Sequence, residues 1–92
     1  MTELIVTRRA RKRLVDLPEP FRQAVQATIE SLIVDPWALG KPLGGRMRGE
    51  WVARVGNYRV FYVIEEGPGR SRVVVRAIRH RAVAYRRRRR PR

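Results

Sequence analysis

Toward its C-terminal end the chain reads Arg79-His80-Arg81-Ala82-Val83-Ala84-Tyr85. Two guanidinium groups, an imidazole and a phenol sit within one short stretch. A guanidinium pairs with phosphate through a planar fork and stays charged at any working pH. Imidazole is the one side chain whose ordinary pKa, ~6.5, lies near neutrality. A tyrosine can stack on a base or hold a ribose or phosphate through its hydroxyl. Two further arginines, Arg54 and Arg59, lie on either side of Gly56-Asn57 in the stretch EWVARVGNYRVFYVIE. Brought together, Arg54, Arg59, Arg79 and Tyr85 would bind a phosphodiester and stabilise negative charge developing on it. Cleavage of DNA by such a set usually needs a metal to make a nucleophile. RNA carries its own nucleophile in the adjacent 2′-hydroxyl, so an arginine-rich site without metal ligands points to RNA.

Other chemistries lack their residues. One histidine, no cysteine and scattered carboxylates at Asp35, Glu50, Glu65 and Glu66 do not make a metal cage, and no cofactor is expected. Ser31 on a helix and Ser71 at a strand start are not placed near His80 for a nucleophilic triad. Gly44-Gly45 is not followed by the Gly-Lys-Ser/Thr of a phosphate-cradling loop.

Charge supports the same direction. Formal net charge is +14 over 92 residues, and it is uneven: residues 37–92 hold sixteen basic and three acidic side chains, residues 1–36 six and five. Twenty of the 22 basic residues are arginine. A polyanionic partner is expected, with nucleic acid ahead of an anionic membrane, because the basic residues do not lie on one amphipathic helix. No apolar run reaches the roughly 18 residues of a membrane span and no signal peptide is visible, so a cytoplasmic location is expected.

The elements that must position these residues follow from periodicity. Residues 3–7 read as a first strand, and Thr7 as the N-cap of a helix over 8–16 whose Ala10, Leu14 and Leu17 form a narrow apolar stripe. Pro20 opens a second helix with apolar residues at Phe21, Ala24, Val25, Thr28, Ile29, Leu32 and Ile33, stopped by Asp35-Pro36. Residues 37–49 read as a glycine-rich loop carrying Lys41, Arg46 and Arg48, either a plain connector or a basic rim to the site. Gly56-Asn57 joins two strands rich in Val, Tyr, Phe and Trp, both residues tolerating positive φ. Alternation places Trp51, Ala53, Val55, Tyr58, Val60 and Tyr62 on a core face, with Trp51 read as core. Arg54 and Arg59 then share the other, open face. Residues 71–79 are the last strand. The expected fold is α+β, ordered β-α-α-β-β-β: a small antiparallel sheet with a two-helix hairpin on one face and the first strand at an edge. Residues 1–85 form one domain, and 86–92, RRRRRPR, a basic tail that cannot pack.

The pairing of a GxYRVxY hairpin, here Gly56-Asn57-Tyr58-Arg59-Val60-Phe61-Tyr62, with a terminal His80-Arg81-Ala82-Val83-Ala84-Tyr85-Arg86 resembles the RelE/ParE toxins of bacterial type II toxin–antitoxin systems, as do the helix hairpin and Lys41-Pro42-Leu43-Gly44-Gly45. The resemblance spans nearly the whole chain and implies a microbial ribonuclease-type fold. It implies a ribosome-dependent endoribonuclease that cuts mRNA by 2′-hydroxyl attack, leaving a cyclic phosphate. By position, Arg59 matches the arginine that stabilises the transition state. Arg79 and Arg81 match a basic pair, one of them the general acid. Tyr85 matches the tyrosine that stacks on the substrate base, and Arg54 a phosphate contact. Lys41, Arg46, Arg48, Arg86 and Arg87 would add phosphate contacts. Two family lysines, one a general base, are replaced by Glu50 and Val52, leaving Glu50, His80 or ribosomal RNA to take the proton, or no general base at all. The implied partners are the ribosome, mRNA and a small antitoxin that blocks the basic face, with operator DNA reached only through the antitoxin. A gyrase-inhibiting, ParE-like action and a non-catalytic RNA-binding module are the alternatives.

Overall fold

A computed structural model describes residues 2–84. The chain runs β1 (Thr2–Val6), α1 (Arg8–Asp16), α2 (Glu19–Ser31), α3 (Pro36–Leu39), β2 (Lys41–Pro42), a 3₁₀ turn (Gly45–Met47), β3 (Trp51–Val55), β4 (Tyr58–Gly67) and β5 (Arg70–His80). The strands form one sheet in the order β1-β5-β4-β3-β2. β3, β4 and β5 are the expected antiparallel meander. β1 takes the expected edge and runs parallel to β5, Thr2 beside Ser71 through Val6 beside Val75.

Local chemistry explains the boundaries. The Thr7 hydroxyl accepts from the Ala10 N–H at 3.2 Å, the N-cap that starts α1. α1 buries Ala10 and α2 buries Val25 and Ile29 against the sheet, with Leu17 and Leu32 sealing the helix ends. α2 buries less of its stripe than its periodicity suggests: Phe21, Ala24 and Ile33 stay exposed. At the hairpin only Gly56 has positive φ (58°), while Asn57 does not, so the turn needs glycine at its first central position alone.

The core lies between helices and sheet, where Ala53, Val60, Tyr62, Val73, Val75 and Ile78 meet α1 and α2. Val75 and Ile78 both face it although three residues apart. A bulge permits this: Phe61 pairs with Ala77 but Tyr62 pairs with Val75, so Arg76 is the extra residue.

Two expectations need correction. Residues 37–49 are not an irregular loop: they hold α3, the two-residue β2 paired with β3, and the 3₁₀ turn. The sheet face away from the helices is also not wholly open. Val52 and Phe61 are buried there with Ala84, and Leu43, Met47 and Ala77 pack on them. Apolar residues at 43, 47 and 84 were available to cover that part of the sheet.

Tyr62 locks the layers together. Its ring is fully buried and its hydroxyl donates to the Pro36 carbonyl at 2.6 Å. Burial first, and the Asp35 carboxylate second, push its pKa up to about 12. An unfolded tyrosine ionises near ~10, so the unfolded chain loses this proton first. The stability tied to Tyr62 is complete below pH ~10 and is lost as pH rises toward about 12. Tyr62→Phe leaves the Pro36 carbonyl unpaired and is expected to lower stability by about 1–3 kcal/mol at neutral pH. It should also flatten the alkaline decline in a urea-midpoint series taken against pH.

Candidate RNA-binding and catalytic face

The two-residue turn fixes which side chains meet. Val55 pairs with Tyr58, so Arg54 falls opposite Arg59; β5 then places Arg79 opposite Arg59. Three arginines therefore form one row across β3, β4 and β5, on the face away from the helices. In a hairpin closed by two residues the second pair is non-hydrogen-bonded, with Cα atoms about 4.5 Å apart, which brings the Arg54 and Arg59 side chains close.

Arg59 sits at the centre, 7% exposed. Its Nη1 donates to the carbonyls of Gly56 at 3.1 Å and Tyr58 at 2.9 Å. Those bonds aim the guanidinium and leave Nε and Nη2 as donors. Among the described residues none of the three arginines is ion-paired to a carboxylate. Like charges directly opposite one another across strands are destabilising. A row of this kind is kept at a cost to the fold, which marks it as a site for an anion.

The other candidates distribute unevenly around this row. The backbone N–H of Arg81 donates to the Asn57 carbonyl at 2.6 Å, which ties the turn at 81–84 to the hairpin tip; the Arg81 side chain is exposed. Lys41 pairs with Val52 and so shares the arginine face, one row from Arg54. Arg46 and Arg48 are exposed on the segment that Leu43 and Met47 anchor over Val52 and Phe61. That segment is held against the sheet by its apolar residues.

Glu50 and His80 are not brought to the row. Glu50 shares the arginine face, but four residues along a strand is about 13 Å, and its carboxylate lies 3.8 Å from Arg76. His80 pairs with Tyr58 on the helix side of the sheet, edge-on to that ring at 5.5 Å between centroids. Its Nδ1 accepts from the Ala82 N–H at 3.1 Å, which places the proton of the neutral ring on Nε2. Tyr85, Arg86 and Arg87 lie outside the described residues. Sequence reasoning did not single out Arg76, which pairs with Glu50; alternation from Val73 and Val75 already places it on the face away from the helices.

Residues 4–85 match the family model described as the ParE toxin of type II toxin–antitoxin systems, parDE. This chain belongs to the RelE/ParE toxin family. It is thus a toxin of a type II toxin–antitoxin system. Over 82 residues, 88% of this chain and 82% of the relative, it is 38% identical to Toxin RelE of Mycobacterium tuberculosis. The fold is similar to the toxin in the crystal structure of the RelBE2 toxin–antitoxin complex from the same organism. That match has a TM-score of 0.76 and 32% identity, covering 86% of this chain and 96% of that one. The YoeB/ParE toxin from Agrobacterium tumefaciens shares the fold at a TM-score of 0.71 and 22% identity, over 85% and 96% of the two chains. No described helix is long and apolar enough to cross a membrane.

Proposed function

We propose that this family member is a ribosome-dependent mRNA endoribonuclease that acts in the cytoplasm. The observation that carries the reading is the Arg54–Arg59–Arg79 row, in which no carboxylate partner is found among the described residues. The 2′-oxygen attacks the adjacent phosphorus, the bond to the 5′-oxygen breaks, and a 2′,3′-cyclic phosphate and a 5′-hydroxyl result. Negative charge rises on the phosphoryl oxygens in the transition state, and Arg59, already aimed by two backbone carbonyls, meets it without reorganising. Arg54 and Arg79 hold the flanking phosphates. Arg81, at the hairpin tip, is the candidate to donate a hydrogen bond to the leaving 5′-oxygen and offset its charge while a proton reaches that oxygen from the surrounding ribosome and solvent, and Tyr85 to stack on the base. With Glu50 and His80 away from the row, the ribosome supplies the group that takes the 2′-hydroxyl proton. An antitoxin with an acidic segment covers the same face and carries the complex to operator DNA. Residues 1–85 serve as the catalytic unit, and the arginines of 86–92 add phosphate neutralisation.

Purified toxin added to in vitro translation, followed by primer extension on the message, tests this. The expected result is cuts at discrete positions only when ribosomes are present. Intact mRNA with normal translation would favour the second reading, a ParE-like inhibitor of DNA gyrase. The distance of Glu50 and His80 from the row, together with the matching ParE family model, supports that reading. Loss of gyrase supercoiling activity would then be the result to look for.

A further inference from the structure

The arginine row is not the only unpaired set of cations. α1 begins Arg8-Arg9-Ala10-Arg11-Lys12-Arg13, and all five basic side chains are exposed. None is ion-paired among the described residues, although Arg22, Arg72 and Arg76 elsewhere each reach a glutamate. The charges at the start of α1 oppose the local electrostatic preferences of a helix. Its first turn holds no acidic residue, and cations sit where the helix dipole is positive. Arg8 and Lys12, and Arg9 and Arg13, stand four apart, where like charges repel. Ala10 and Leu14 take up the side of α1 that packs on the core, so the cations occupy its flanks and outer side, across the sheet from the arginine row.

We infer that the outer face of α1 is a second, separate docking surface for the phosphate backbone of duplex RNA. Five cations within the six residues 8–13 concentrate positive charge on the exposed side of α1, which is what a phosphate backbone recruits. The face carries no aromatic residue to stack on bases, and Val15 is its one apolar residue. A protein interface would be depleted of charge at its centre, and single-strand binding would need stacking platforms. Because α1 and the arginine row face opposite ways, both are filled at once only by an RNA that surrounds the domain. The choice of RNA over DNA rests on the ribosomal reading above; the surface itself does not.

The test is binding of the full chain to a 20-base-pair RNA duplex of arbitrary sequence over a series of salt concentrations. The triple variant Arg9→Gln, Lys12→Gln, Arg13→Gln is expected to bind about tenfold or more weakly at low salt. Its plot of log affinity against log salt should be shallower by about two to three, since each phosphate contact contributes about 0.9. Arg8→Gln with Arg11→Gln should remove about one to two. Arg9→Lys with Arg13→Lys keeps the charge and should keep the slope. Both glutamine variants should melt no lower than the parent, because repulsion is relieved. An unchanged slope in both, or a loss seen on a DNA duplex of the same sequence but not on RNA, overturns the inference. Message cleavage retained with an unchanged slope removes this surface alone. A shallower slope in a protein that cuts no mRNA leaves the surface standing and removes the interferase reading.

Discussion

Arg59→Ala lowers ribosome-dependent mRNA cleavage by about 10²- to 10³-fold, the usual cost of losing one fixed donor to a developing anion. The same substitution leaves the fold as stable as before, or more stable. Arg59 is a buried cation facing Arg54 on one side and Arg79 on the other, and among the described residues its side chain bonds to the carbonyls of Gly56 and Tyr58. Its removal ends two like-charge pairings and returns the turn carbonyls to water. Activity and stability should therefore move apart, which a structural arginine would not allow. Arg59→Lys should fall between, since it keeps the charge and loses the planar fork. Arg54→Ala should cost less, about tenfold, because Arg54 is exposed and not aimed by bonds of its own. Single-turnover cleavage on programmed ribosomes, with a thermal melt of each variant, checks all three. Undiminished cleavage by Arg59→Ala would remove the row from the mechanism.

The second large effect concerns stability and lies far from the row. Gly40 has an ordinary extended backbone, so its need for glycine is not conformational. A Cβ there would lie 2.7 Å from the Val52 carbonyl oxygen and closer still to the Tyr62 hydroxyl. The carbonyl belongs to a paired strand, and the hydroxyl is held by the Pro36 carbonyl, so neither can give way cheaply. Gly40→Ala is expected to force the Tyr62 ring off its bond and to cost about 2–5 kcal/mol from overpacking and the lost bond together. For a domain of this size that is a fall in melting temperature of roughly 10–30 °C. Gly44→Ala is the control: nothing lies within 4 Å of the added atom. A melting temperature unchanged by Gly40→Ala would mean that α3 and β2 are not pinned to the sheet through Tyr62.

The sequence and the structure agree where local rules decide. Thr7 caps α1, Gly56 makes the hairpin turn, and strand alternation then sets Arg54 across from Arg59 without further information. Counting alone fails where one residue changes the parity of a strand, yet Arg79 still joins Arg54 and Arg59 on the face away from the helices. The bulge at Arg76 moves Arg79 and His80 to faces that simple counting from Val73 would not give. It is stabilised by tertiary packing of Val75 and Ile78 on the same core. β2 was hidden because Lys41-Pro42 has no strand propensity, and its pairing rests on the neighbour it meets. The cover of Leu43, Met47 and Ala84 over Phe61 was hidden for a related reason. Residues far apart in the chain satisfy one another there, and no periodicity announces it. His80 stood beside two arginines in sequence, yet a strand sends adjacent side chains to opposite faces.

The place of β5 in the sheet also governs the order in which the molecule can come into being. β1 is synthesised first, and its partner is the last strand; Thr2 and Ser71 join hydroxyls across 69 positions of chain. Until β5 is made, β1 has no neighbour and β4 offers a bare edge rich in Val, Phe and Tyr, the kind of edge that recruits other chains. Contacts of such long range also place folding toward the slow end for a small domain. Arg79 arrives with that same strand. One strand therefore closes the exposed edge of β4, gives β1 its neighbour and completes the arginine row in a single step.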